Sequence, residues 1–240
     1  MAVLNLRPLA GGRILRGSQP FGLDAAATSG FLAEHGIQAI VDLRSELERS
    51  LVPWLVHDDS LIHDGGGGPA AAAPPAVELI HNPLDPNAIA GSLQAVETAE
   101  DLGELYLGWI RLRPQWVADA LRPVARGKRT LVHCSLGKDR TGVVSAVALL
   151  ASGESDDAVV KDYTATTVSL PTMLEVMAET WHLHVPSTPA AYFSPELMVL
   201  QSPEAAMRHF LAGFEQEFGD ARSFLREAGL TAVEVESLAL

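Results

Sequence analysis

Residues 133–142 read His133-Cys134-Ser135-Leu136-Gly137-Lys138-Asp139-Arg140-Thr141-Gly142 and place the one cysteine of the chain six positions before an arginine. The apolar run Thr130-Leu131-Val132 before this stretch predicts a buried strand. Val143 to Leu150 after it predicts an apolar helix ending at Gly153. A strand, a tight loop and a helix N-terminus therefore meet in ten residues. Such a loop aims several backbone N–H groups at one point, and the helix dipole adds partial positive charge there, which makes an anion site.

Cys134 stands where that field is strongest. A free thiol titrates at about 8.5, and beside cations at a helix N-terminus it ionises at much lower pH to give the nucleophilic thiolate. Lys138 and Arg140 supply the cations. The guanidinium fork can hold two phosphate oxygens and keep them as charge shifts in the transition state. The backbone of Ser135, Leu136, Gly137, Lys138, Asp139 and Arg140 is the expected phosphate cradle. A buried structural cysteine does not account for the rest of the decade. A Walker loop would need Ser or Thr where Asp139 stands.

The spacing Cys-x5-Arg-Thr resembles the cysteine-dependent protein tyrosine phosphatases. The form His-Cys-x-x-Gly-Lys-Asp-Arg-Thr-Gly is similar to the bacterial tyrosine phosphatase family that includes the secreted mycobacterial phosphatase B, some of whose members also cleave phosphoinositides. Asn5-Leu6-Arg7 with Leu15-Arg16-Gly17-Ser18 resembles the family's opening. Val41-Asp42-Leu43-Arg44-Ser45 with Glu48 resembles its first core strand, and Phe218-Gly219 through Leu230 its closing helices. Two departures stand out: Pro8 replaces the usual Asp of the opening, and Gly17 splits the usual Arg-Ser pair.

The resemblance implies phosphomonoester hydrolysis through a cysteinyl-phosphate, releasing inorganic phosphate, with no cofactor and no metal. Asp85, in a Pro-flanked turn upstream of Cys134, is the first candidate for the acid that protonates the leaving group. Asp139, inside the loop, is its rival. His133 is expected to orient the loop, Thr141 to hydrogen-bond the thiolate, and Lys138 to reach a second phosphate. Asp42 and Arg44 are expected to form a buried ion pair supporting the loop, and Arg16 to act as a further support. The expected substrate is a phosphotyrosine protein. The alternatives are a broader phosphatase acting on phosphoinositides or on phosphoserine and phosphothreonine, and a module that binds phospho-ligands without turnover.

Composition sets the frame. A chain of 240 residues can bury a large core and fits one domain, 1–240. No segment reaches the ~20 apolar residues that span a bilayer, and no signal-peptide pattern opens the chain. A single cysteine excludes an internal disulfide and suits a cytoplasmic setting, with export lacking a signal also compatible. The formal charge of −13 argues against general affinity for nucleic acid or anionic lipid. Residues 1–23 carry Arg7, Arg13 and Arg16 and no acid, so a basic pocket is expected if this segment packs beside the loop.

Helices alternate with strands over Gln38–Val41, Val77–Ile80 and Thr130–Val132. This predicts an α/β fold with a small, mostly parallel sheet flanked by helices, tyrosine-phosphatase-like, and a helical C-terminal half. Asp24 is the expected N-cap of a helix reaching His35, and further helices are expected over about 92–112 and 114–124. Residues 57–76, rich in Gly, Ala and Pro, read as a flexible loop, and the His57, Asp58, Asp59, His63 and Asp64 within it as solvated side chains. Residues 169–200 hold an apolar set including Leu170, Met173, Met177 and Trp181. The resemblance implies a helical lid there, against the alternative of a core-packing helix pair.

Overall fold

The computed structural model describes residues 2–56, 77–84 and 96–239. The glycine-rich stretch 57–76 with its His and Asp residues, and Asp85, lie outside the described residues. The helix expected from about residue 92 begins only at Ala99, because Thr98 is extended there and caps it with a box to Asp101.

Among the described residues, five strands form one sheet: β1 (Arg7–Pro8), β2 (Ile14–Gly17), β3 (Ala39–Asp42), β4 (Glu78–His81) and β5 (Thr130–His133), in the order β1-β2-β5-β3-β4. Four are parallel, and only β1 runs antiparallel at the edge beside β2. The expected α/β class is therefore present, with two N-terminal strands added. The register places Gly17, His133, Asp42 and His81 side by side at the carboxyl ends of the parallel strands. That is the end at which open parallel sheets bind ligands.

Successive side chains of a strand face opposite sides, so each strand feeds two cores. Leu15, Ile40 and Leu131 pack with Leu32, Ile37 and Trp54 on one face. Ile14, Val41 and Val132 meet the larger helical layer on the other. On the first face lies α1 (Ala25–Glu34), whose N-cap Asp24 accepts from the Ala27 amide at 2.8 Å. The short α2 (Glu46–Leu51) follows β3 and begins with a capping box between Ser45 and Glu48.

The helical layer comprises α3 (Ala99–Leu112), α4 (Pro114–Ala125) and α5 (Asp139–Ser152), then α6 (Asp156–Thr164) and α7 (Leu170–His184), and finally α8 (Glu204–Phe218), α9 (Ala221–Glu227) and α10 (Ala232–Ser237). Helix α5 runs through the middle of it, buried from Arg140 to Leu149, which is why its sequence is apolar on every side. Gly153 ends it at φ +93°, the left-handed C-cap a side chain would strain. The helix starts at Asp139, four residues before the expected Val143, because the motif's last residues form its first turn. Among the described residues no helix is long and apolar enough to cross a membrane.

Candidate active site

The stretch 134–138 joins the end of β5 to the N-terminus of α5. Gly137 turns the loop at φ +65°. A Cβ there would lie 2.2 Å from the Gly17 carbonyl oxygen, so glycine is required both by conformation and by the close approach of β2. Among the described residues, none of the backbone N–H groups of Ser135 through Arg140 has an acceptor. They form a set of unused donors at a helix N-terminus, beside the buried Cys134 thiol.

Arg140 is fixed by a residue absent from the expected site. Glu48 accepts from Nη1 at 2.7 Å and Nη2 at 2.6 Å, while the Leu43 and Leu84 carbonyls accept from Nη1 at 3.3 and 3.1 Å. Among the described residues, Nε is left without an acceptor. Glu48 also accepts from the Ser135 hydroxyl at 2.5 Å and the Ser45 amide at 2.8 Å. Burial opposes its charge, but the Arg140 guanidinium and these donors outweigh that and hold its carboxyl far below the usual range. The Ser45-x-x-Glu48 capping box is visible in the sequence, but its second use depends on a partner 92 positions away.

His133 is fully buried between two partners. The Trp54 indole N–H donates to Nε2 at 2.8 Å, so the proton sits on Nδ1, which donates to the Cys134 carbonyl at 3.0 Å. Burial pushes the imidazole down to about 4, with nearby Asp42 only partly opposing this. His133 is thus a neutral loop-orienting group, and Trp54 is its unforeseen partner.

Asp42 and Arg44 form a buried bidentate ion pair at 2.9 and 2.7 Å. Arg44 also donates to Gln19 Oε1 at 3.0 Å, and the Gln19 amide donates to the Ser135 carbonyl at 3.0 Å, so the pair reaches the loop through Gln19. Arg16 is buried, pairs with Asp162, and donates to the Gly137 carbonyl at 2.7 Å. The expected basic pocket is not formed by the N-terminal arginines: Arg7 and Arg16 share Asp162, and Arg13 donates to the Ser237 carbonyl. Arg16 braces the loop directly and Arg7 holds Asn5 beside it, while Arg13 ties the chain before β2 to the end of α10.

Two further expectations are corrected in this structure. The Lys138 ammonium is wholly buried and donates to Asp139 Oδ1 at 2.5 Å and the Gln201 carbonyl at 2.7 Å, so it is turned from any second phosphate. Burial works against its charge, and Asp139 more than offsets this and raises it above the ordinary lysine value. The Thr141 hydroxyl is buried with no hydrogen-bond partner among the described residues, the Cys134 sulfur included. Asp139 Oδ1 accepts a second bond, from the Tyr106 hydroxyl at 2.6 Å, and Tyr106 receives one from Tyr163 at 2.9 Å. Burial and then Asp139 push the Tyr106 hydroxyl well up, so it stays a donor. Asp139 thus serves as an acceptor.

Within 169–200, the buried Leu170, Met173, Leu174 and Met177 of α7 pack with Phe21 and with Leu136 of the loop. Tyr192 stands 58% exposed. This segment lies directly on the loop's apolar side.

The triple specificity protein phosphatase PtpB of Mycobacterium tuberculosis (strain ATCC 25618 / H37Rv) is 30% identical over 124 residues, covering 48% of this chain and 44% of that protein. The chain thus spans less than half the length of this relative. Among solved structures, the core catalytic domain of the PP-IP phosphatase SIW14 from S. cerevisiae superposes with a TM-score of 0.40 at 13% identity, over 91% of this chain and 97% of the other. P. aeruginosa TpbA gives a TM-score of 0.36 at 16% identity, over 79% and 88%. The family described as the tyrosine phosphatase family matches residues 4–240, from before the first strand to the last helix. With that match over nearly its whole length, the chain belongs to the tyrosine phosphatase family.

Proposed function

We propose that the chain hydrolyses phosphomonoesters through a cysteinyl-phosphate intermediate on Cys134, with protein phosphotyrosine as substrate. The observation that carries this is the set of unused amides from Ser135 to Arg140 around Cys134, closed by an arginine that Glu48 holds in one orientation. Substrate phosphate oxygens take the amides and the free edge of Arg140. The Cys134 sulfur attacks phosphorus in line, the P–O ester bond breaks, and the leaving oxygen takes a proton from a carboxylic acid. Water then attacks phosphorus and gives a proton to the same carboxylate, restoring the acid; the S–P bond breaks, the electrons return to the Cys134 thiolate, and inorganic phosphate leaves.

Asp85 is the acid in this reading. It follows in sequence on Leu84, whose carbonyl accepts from Arg140 and whose amide donates to the Leu43 carbonyl at 3.1 Å. Asp139 already receives Tyr106 and Lys138 on one oxygen, which favours Asp85 as the donor. The apolar face of 169–200 against Leu136 is the lid of this reading and excludes water during transfer. A reduced thiol nucleophile fits a cytoplasmic setting.

A broader range, including phosphoinositides, is supported by the relative named a triple specificity phosphatase. Phosphate release from a phosphotyrosine peptide, a phosphoserine peptide and a phosphoinositide panel separates the readings. Fastest release from phosphotyrosine is expected. Comparable release across the panel moves the assignment to the broad enzyme, and binding without release makes the chain a binding module.

A further inference from the structure

The loop's carbonyls are as informative as its amides. In a trans peptide the C=O points opposite to the N–H of the next residue, so a loop that turns its amides inward must turn its carbonyls outward. Four consecutive peptides here have their carbonyls engaged from outside. The Cys134 carbonyl accepts from His133 Nδ1 and the Ser135 carbonyl from the Gln19 amide. The Leu136 carbonyl accepts from Asn5 Nδ2 at 3.2 Å, and the Gly137 carbonyl from Asn5 Nδ2 at 3.1 Å and Arg16 Nη2 at 2.7 Å.

The last two peptides flank Gly137, where backbone rotation is least hindered, so they depend most on these outer donors. A flip of either would withdraw an amide and present a carbonyl oxygen to the phosphate. Asn5 is built for this task. It sits at φ +54°, a conformation asparagine tolerates better than most residues, and its side chain is buried. Arg7 donates to Asn5 Oδ1, which leaves Nδ2 facing the loop. Asp162 on α6 binds Arg7 through one oxygen and Arg16 through the other, aiming both arginines at once.

We infer that Asn5, and Asp162 acting through Arg16 and Arg7, are positioning residues that set the direction of the Gly137 and Lys138 amides in the phosphate site. This rests on the phosphatase reading above. None of these four side chains need touch substrate; they fix the peptides that do.

The test compares wild type with Asn5→Gly, which keeps the left-handed backbone but removes the donor, and with Asp162→Asn. The readouts are kcat/KM on p-nitrophenyl phosphate and the inhibition constants of inorganic phosphate and orthovanadate. Both variants should weaken the two inhibitors by roughly tenfold or more and lower kcat/KM by a similar factor, since single amide-type donors to a developing oxyanion are worth 10²–10³ in rate. A merely structural role lowers the active fraction and leaves the inhibition constants of the folded remainder unchanged. Unchanged constants in an active enzyme therefore overturn the inference, and should Asn5→Gly not fold, Asp162→Asn decides alone. A wild type that neither turns over nor binds phosphate overturns the phosphatase reading itself, a different result.

Discussion

Glu48 grips Arg140 with both carboxylate oxygens, at 2.6 and 2.7 Å, and takes the Ser135 hydroxyl at the same time. The residue that closes the capping box of a six-residue helix thus also sets the direction of the loop arginine's guanidinium. Glu48→Gln keeps the shape and loses the charge. It should lower kcat/KM by about 10²-fold, the usual cost of misplacing a catalytic group by about an ångström, with most of the loss in kcat. Steady-state kinetics beside a thermal melt checks this. An unchanged kcat/KM would show that Arg140 needs no holder.

His133 carries a pH signature of stability. Its folded value of about 4 lies below the ordinary 6.5, so between those values the unfolded chain binds the extra proton. Stability should therefore fall as pH drops through 6.5 towards 4, by about 2 kcal/mol between pH 7 and 5 from this group alone. Urea unfolding of wild type and His133→Gln at the two pH values measures it. The variant should lose the smaller amount on acidification, and equal losses would contradict the neutral, indole-bonded histidine.

Gly137→Ala should be among the most damaging small substitutions. A Cβ meets the Gly17 carbonyl at 2.2 Å, and the left-handed backbone costs a further ~1–2 kcal/mol. Activity should fall by more than about 10²-fold with a clear drop in melting temperature. A folded, active Gly137→Ala enzyme would mean the loop can relax away from β2.

The general acid is separable by leaving group. Asp85→Asn should lower kcat on phosphotyrosine peptide by roughly 10²–10³-fold and on a substrate with a far more acidic leaving group much less. Asp139→Asn should reduce both substrates alike, as expected of a group that receives Tyr106 and Lys138. The reverse pattern would exchange their roles.

Much of this was legible because the information is local. The Asp24 cap marks a helix start, and the apolar run over Val143–Leu150 marks the buried helix behind the cysteine. The anion-binding loop and its thiol were legible in residues 133–142 themselves, and the family resemblance added the expected hydrolysis. What escaped is long-range. Strand β2 is only four residues with a charged Arg16 in it, and that charge is tolerated only because Asp162, 146 positions on, neutralises it. Glu48 reads as a cap, Trp54 as a core aromatic and Tyr106 as a helix-core residue until the fold sets each against the loop. Long-range packing also sets the surroundings of Lys138, whose ammonium donates to Asp139 and the Gln201 carbonyl, and of Thr141, whose hydroxyl has no partner among the described residues.

The central claim is that Cys134 carries the phosphoryl group. Rapid acid quench during turnover of a phosphotyrosine peptide, followed by mass spectrometry of the fragment spanning residues 130–140, tests it most directly. The account predicts one phosphoryl group on Cys134 in the wild type, and neither adduct nor phosphate release in Cys134→Ser. Sustained phosphate release by Cys134→Ser, or a phosphoryl group carried on any other residue, would contradict it.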